Sequence, residues 1–214
     1  MSTKETMSVH KALCELKTIG DRIVKTMNSA AFVFSNEHAN SKVNGVPVED
    51  CKAHIRDVYN SVVDLTRRRE AIKCAVVNSN AKTIVVVGGK EYTVAEAIEM
   101  KNHGMDFYKA MRDKLASELA RAKRNAEMAN GLELERRADG YIKNLYGSTD
   151  MKSLAAEAVE ERTKFITQHT TEIVDPLNAT KQIEELDKMI YDFTTSVDAA
   201  LSVSNAITEI EISY

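Results

Sequence analysis

The stretch Arg67–Lys101, RRREAIKCAVVNSNAKTIVVVGGKEYTVAEAIEMK, holds the end of one helix, a hairpin and the start of another helix. Its first part closes an apolar series: Cys51, Ile55, Val58, Val62, Leu65, Arg69, Ile72 and Val76 follow alternating steps of four and three. That heptad seam predicts a coiled-coil-like helix over 48–78. The run Thr83–Val87 is β-branched, and side chains stiff at χ1 favour a strand there. Gly88-Gly89 then suits a two-residue hairpin turn, in which both central residues take positive φ. Thr93-Val-Ala-Glu96 is a capping box, whose hydroxyl and carboxylate each satisfy an amide at the start of the next helix.

Outward from this segment the pattern stays helical. Val9, Leu13, Leu16, Ile23 and Met27 stand at helical spacings and predict a first helix over 7–30. The polar segment 35–47, SNEHANSKVNGVP, reads as a loop, with Pro47 in the first turn of the helix that follows. Beyond Thr93 a third helix could run to Leu145 or Tyr146, about 75 Å if unbroken. Its core part is 94–120, with Val94, Ile98, Met105, Tyr108, Leu115, Leu119 and Ala122 on one face; a helical extension covers about 120–170. Gly131 and Gly140 mark a region where it can break or kink, and Gly147–Asp150 ends it. A fourth helix is expected over 151–170, with Leu154, Ala158, Phe165 and His169 on one face. Asp175-Pro176 reads as the cap and first residue of a fifth, whose core is 180–202 and whose stripe is Ile183, Leu186, Ile190, Phe193, Val197 and Ala200. Ile207–Ile212 alternates with period two, as a strand does.

Two junctions share a spelling. Ser79-Asn-Ala-Lys-Thr83 leads from helix to strand, and so does Ser204-Asn-Ala-Ile-Thr208. The repetition predicts that the strand 207–212 lies beside the 83–93 hairpin in a three-stranded sheet, since a lone hairpin is marginal in water. The expected fold is mainly α: an elongated antiparallel helical bundle, coiled-coil-like, with that small sheet, in a single domain spanning 1–214.

Composition narrows the function. Eight glycines and two prolines leave few places to turn, and 43% hydrophobic with 29% charged residues suits neither disorder nor a membrane bundle. No apolar run is long enough to span a bilayer and the N-terminus has no secretory h-region, so no membrane partner is expected. Cys14, Cys51 and Cys74 form no CxxC and read as buried free thiols, and the five histidines form no helical ligand pair. Neither metal nor cofactor is expected. A net charge of −3 argues against general nucleic-acid binding. No nucleophile–base set is suggested by spacing, and the expectation is a protein that is not an enzyme. So long a helix, with two apolar seams beside it, cannot be covered by one chain of this size, which predicts a homo-oligomer.

The candidate binding residues are Arg67, Arg68, Arg69, Lys73, Ser79, Asn80, Thr83 and Thr93. Arg69 falls in the apolar seam, where a desolvated guanidinium must meet an anion. Glu70, Glu184 or Glu185 could supply it, and so could a ligand phosphate or carboxylate. Thr93 stands at a helix N-terminus, where free amides favour negative charge.

Three segments carry a resemblance: VHKALCELKTIGDRI (9–23), the 67–101 stretch, and DPLNATKQIEELDKMI (175–190) with VDAALSVSNAITEIEI (197–212). Together they resemble helical proteins encoded by large tailed bacteriophages of Gram-positive hosts; more remotely, the first half is similar to septicolysin-like helical proteins. The likeness covers most of the chain and is weakest over 31–50 and 120–170. It implies an origin and not a mechanism, and the residues leave two readings, of which the first is preferred. One is an oligomeric accessory protein in the host cytoplasm that sequesters a small anionic ligand, such as a nucleotide immune signal, in a pocket between subunits lined by the eight residues above. The other is a structural or assembly protein of the virion acting by helical self-association.

Overall fold

The computed structural model describes residues 4–147 and 156–214. The expected start of a helix at 151, with Leu154, and residues 148–150 lie outside the described residues. The chain is mainly helical with short antiparallel strands, as the sequence predicts. Where the sequence reading runs one domain from end to end, contacts group the chain into two compact units: residues up to His103 together with Asp192–Tyr214, and Gly104–Tyr191.

In the first unit, strand β1 (Lys4–Ser8) leads into helix α1 (Val9–Ser29), and Ser8 caps it by accepting from the Lys11 amide at 3.2 Å. The segment read as a loop contains a miniature hairpin, β2 (Lys42–Val43) with β3 (Val46–Pro47). Asn44 and Gly45 both take positive φ at its turn, an Asn-Gly signal the sequence reading passed over. Helix α2 spans Val48–Asn80, so Pro47 precedes the helix rather than sitting within its first turn. Strands β4 (Ile84–Val87) and β5 (Lys90–Thr93) form the expected hairpin, with φ of +57° at Gly88 and +78° at Gly89. The capping box on Thr93 and Glu96 is formed as predicted and starts α3 (Val94–Glu99). The part of α7 (Ala179–Ile207) from Asp192 onward, and β6 (Glu209–Ser213), complete the unit.

The three-stranded sheet does not form. β6 pairs with β1, a strand the sequence reading missed, and not with the 83–93 hairpin. The two SNA junctions are nonetheless equivalent, in a different sense. In each, the threonine amide donates to the serine carbonyl four residues back at 2.9 Å. In each, the threonine carbonyl then accepts from the first amide of another helix, Val94 for Thr83 and Val9 for Thr208. The threonines therefore open two like ladders, Ile84 opposite Thr93 and Glu209 opposite Ser8. Val94 and Ala97 of α3 are buried like Val9 and Ala12 of α1. The echo marks an internal repeat of helix, paired strands and capped helix.

The strand pairs are held by different helices. Met7, Val9, Ala12, Ile210 and Ile212 form one core with Ile72 and Val76 of α2. The β4–β5 hairpin rests on α7: Tyr92 meets Phe193 edge to face at 5.8 Å, and the Gly88 amide donates to Ser196 Oγ at 2.9 Å.

The second unit holds α4 (Met105–Asn130), α5 (Leu132–Tyr146), α6 (Ala156–His169) and the start of α7. The third helix of the sequence reading is thus three. A π-turn at Met100–Gly104 interrupts the helix; in α3 Val94 is buried and Ile98 exposed, and in α4 Met105 is buried and Tyr108 exposed. The break falls at Gly131, and Gly140 stays inside α5. Leu134, Ala138 and Ile142 of α5 are buried, as is Ala158 of α6. Asn130 clamps the chain after α6, donating to the Thr171 carbonyl at 2.8 Å and accepting from its amide at 2.7 Å. Asp175-Pro176 lies in a turn before α7 rather than capping it directly; its carboxylate accepts from the Ala179 amide, and Asn178 precedes the helix.

Gly88 gives the hairpin its test. A Cβ there would lie 3.1 Å from the Asp192 carbonyl carbon and 3.2 Å from the Phe193 nitrogen, whereas one at Gly89 would meet nothing within 4 Å. Both positions carry the positive-φ cost of about 1–2 kcal/mol. Gly88→Ala should therefore lower stability in urea denaturation by roughly 1 kcal/mol more than Gly89→Ala; equal losses would mean that the hairpin does not sit this closely on α7.

Candidate functional site

Of the three consecutive arginines, only the middle one turns inward. Arg67 and Arg69 are exposed, and Arg68 has 19% of its side chain accessible. The seam arginine is thus Arg68 and not Arg69. The reason is helical pitch: a straight helix drifts from a strict heptad, and the buried row Ile72 and Val76 continues four residues back to Arg68. Its partners are neither Glu70 nor Glu184 nor Glu185. Arg68 Nε and Nη2 form a fork on the Glu15 carboxylate, the second bond at 3.0 Å, and Nη1 donates to Glu5 Oε2 at 2.8 Å. Nη1 also meets the Tyr214 hydroxyl, and the guanidinium carbon lies 5.0 Å from the centre of that ring.

Electrostatics follow from this geometry. Hydrogen bonds from Arg68 hold the Glu5 and Glu15 carboxyls below the usual carboxylate range, against a smaller opposing effect of burial. The same bonds, Glu15 first, raise the guanidinium and keep it charged. β1, α1, α2 and the segment after β6 thus meet on one cation. The adjoining cavity, about 380 Å³, is lined by Asp57, Asn60, Ser61, Asp64, Leu65, Arg68 and Tyr214. Its other charged groups are acidic, and Asp64 also lies 3.8 Å from Arg67.

The remaining predicted site residues gather elsewhere. Lys73 is exposed. Ser79 accepts at its carbonyl from the Lys82 and Thr83 amides, with its hydroxyl 3.4 Å from that of Thr83; Asn80 is the last residue of α2. Thr83 and Thr93 are brought close by the hairpin ladder, but the Thr93 hydroxyl is taken by the Glu96 amide at 3.1 Å. Thr83 lines a second cavity of about 480 Å³, walled by Thr83–Val86 on one side and by Ser196, Ala199, Ala200, Val203, Ser204, Ile207 and Thr208 on the other. Within one chain the eight predicted residues therefore do not share a cavity: Arg68 opens on one and Thr83 on another. No charged side chain lines the second, and Ile84, Val86, Val203 and Ile207 around it are exposed.

Sequence reasoning also missed side chains. Arg162 of α6 donates to Asp139 at 2.9 Å and to Glu135, a pair one turn apart on α5. Beside it Tyr141, Phe165 and His169 stack in series; the steps Glu135–Asp139 and Phe165–His169 were available as signals. The three thiols are free but not buried, since Cys14 and Cys74 are exposed and Cys51 half-buried. Cys14 Sγ lies 3.8 Å from His10 Nε2, one turn back on α1. Among the described residues no group of three or more His, Cys, Asp or Glu side chains gathers as metal ligands would, and no helix is long and apolar enough to cross a membrane.

Comparison of the chain with protein-family profiles, with curated proteins and with solved structures finds no match.

The clasp predicts an acid dependence with a definite sign. Two carboxyls with depressed pKa stabilise the fold above their unfolded value of about 4.3, and that contribution is lost as pH falls through the folded values. Arg68→Ala should unfold at lower temperature than the native chain near neutrality, and the gap should narrow below about pH 4. A gap that stays constant down to acid pH would show that the carboxyls draw nothing from Arg68.

Proposed function

We propose that this chain acts by non-catalytic self-association, as a structural or assembly protein, and that its place is the virion. The observation that carries the reading is the uncharged groove between β4 and α7, bordered by exposed Ile84, Val86, Val203 and Ile207. Contiguous apolar surface of this kind marks protein contact sites. The second unit has its own exposed apolar side chains, among them Phe107, Met111 and Leu132, and Val174 at 91% exposure. Val174 borders a cavity shared by Leu115, Leu119, Ala122 and Leu177.

Sequestering a small anion has less behind it. That expectation rested on the seam arginine and on the polar residues around the small sheet, and Arg68 is met by two carboxylates and a phenol. A nucleotide phosphate would have to displace Glu5 or Glu15 beside Asp57 and Asp64, against like charge.

Sedimentation velocity of the full chain over a wide concentration range should show reversible association. Val203→Asp, placing a charge in the groove, should weaken it by about tenfold or more while leaving the helical circular dichroism unchanged. A chain that stays monomeric throughout, or calorimetry showing tight binding of a nucleotide, would replace this reading with the ligand-binding one. Mass spectrometry of purified particles from a phage encoding the chain tests the virion assignment.

A further inference from the structure

One wall of the uncharged groove is a strand edge with a definite hydrogen-bonding pattern. A two-residue turn makes its flanking residues, Val87 and Lys90, a pair that exchanges both backbone hydrogen bonds. Alternation then turns both backbone groups of Val85 and the C=O of Thr83 towards β5, and the Val94 amide donates to the Thr83 carbonyl at 2.8 Å in keeping with this. The N–H and C=O groups of Ile84 and Val86 face the other way. Among the described residues no strand pairs with that edge, and the two side chains are 56% and 59% exposed.

The internal repeat supplies the comparison that gives this edge meaning. At the places of Ile84 and Val86, β6 carries Glu209 and Glu211, both exposed, with Glu211 paired to Lys4 at 3.0 Å. Charged side chains are a common guard against edge-to-edge pairing. The chain guards one edge of the repeat and leaves the other apolar. Beside the open edge, α7 presents Ser196, Ala199, Ala200 and Val203. These are small and uncharged, and they leave room for another strand at the usual ladder spacing of about 4.8 Å.

We propose that the β4 edge pairs with the same edge of a second copy of this chain, antiparallel across a two-fold axis, giving a four-stranded sheet in the order β5–β4–β4–β5. This rests on the self-association reading and names its surface. The register follows from symmetry: Ile84 of one copy lies opposite Val86 of the other, with Val85 against Val85 at the axis. Both outward-facing residues then exchange their hydrogen bonds, four in all. The centre lines of the two hairpins come about 10 Å apart, two ladder spacings, which is also the interaxial distance of packed helices. The α7 helix under each hairpin therefore meets its counterpart through Ala199 and Val203. This self-complementarity is what selects a second copy as the occupant.

Amide hydrogen exchange on the full-length chain tests the pairing without substitution. At high concentration the amides of Ile84 and Val86 should exchange slowly and be released on dilution, while those of Val85 and Val87 stay protected throughout. Val86→Pro removes one outward amide per copy at an edge position that accepts proline. With two hydrogen bonds lost per dimer, association should weaken by about a hundredfold. If the native chain associates while the Ile84 and Val86 amides exchange freely and Val86→Pro associates equally well, the edge is not the interface; the proposal is overturned and self-association stands. If the native chain is monomeric at every concentration, both readings fall. If Val86→Pro does not fold, the exchange pattern of the native chain decides alone.

Discussion

Helix ends leave backbone groups without partners, and the first unit meets that constraint with a threonine used twice. Thr83 closes α2 through its amide and anchors the start of α3 through its carbonyl; Thr208 does the same for α7 and α1. Each threonine thereby fixes where a helix stops, where a strand pair begins and where another helix enters. A short two-stranded ladder is weak by itself. Here each ladder inherits its register from two helix termini, and its apolar face is covered by a helix. The covering is crossed: β4 continues from α2 but rests on α7, while β6 continues from α7 and packs on α2. Loosening either helix therefore loosens the strands grown from the other.

Much of this was legible because it is local. The turn at Gly88-Gly89, the Thr93–Glu96 box and the extent of α2 depend on residues within one or two turns of each other, whereas α7 runs on to Ile207, where the sequence predicts the start of the strand. What was not legible is long-range pairing. β1 has the sequence KETMS, with little alternation and no β-branched run, and it becomes a strand because β6 lies beside it. Without that strand in view, the SNA echo reads either as a coincidental capping triplet or as placing β6 on the hairpin. The echo itself was sound; its meaning was repetition and not adjacency. Similarly, the heptad count puts Arg69 in the seam because it assumes a supercoil, whereas the row of Ile72 and Val76 at steps of four carries Arg68 inward instead.

Equivalence also explains why the two halves of the repeat are chemically unlike. Arg68 and Phe193 stand the same distance before Thr83 and Thr208. On α2 that position gathers Glu5, Glu15 and Tyr214; on α7 it packs against Tyr92. A half-buried guanidinium is costly without its anions in place, so it favours one arrangement of β1, α1 and β6 around α2. An aromatic pair asks only for contact.

The same asymmetry extends to the strands. Glu209 and Glu211 accompany the arginine half, and Ile84 and Val86 the aromatic half. Two glutamates on a strand resist being laid against an identical strand, because like charges directly opposite destabilise a ladder. An isoleucine and a valine offer cross-strand contact in the same geometry. A single duplicated motif thus gives one half whose polar groups are satisfied within the chain and another whose apolar edge is left open. Were both halves guarded, the groove beside α7 would have no consequence; were both open, the β6 edge would compete with β4 for partners. In the proposed dimer, charge on one edge alone confines pairing to a single surface, which is the condition for a closed two-fold contact and not an open-ended array.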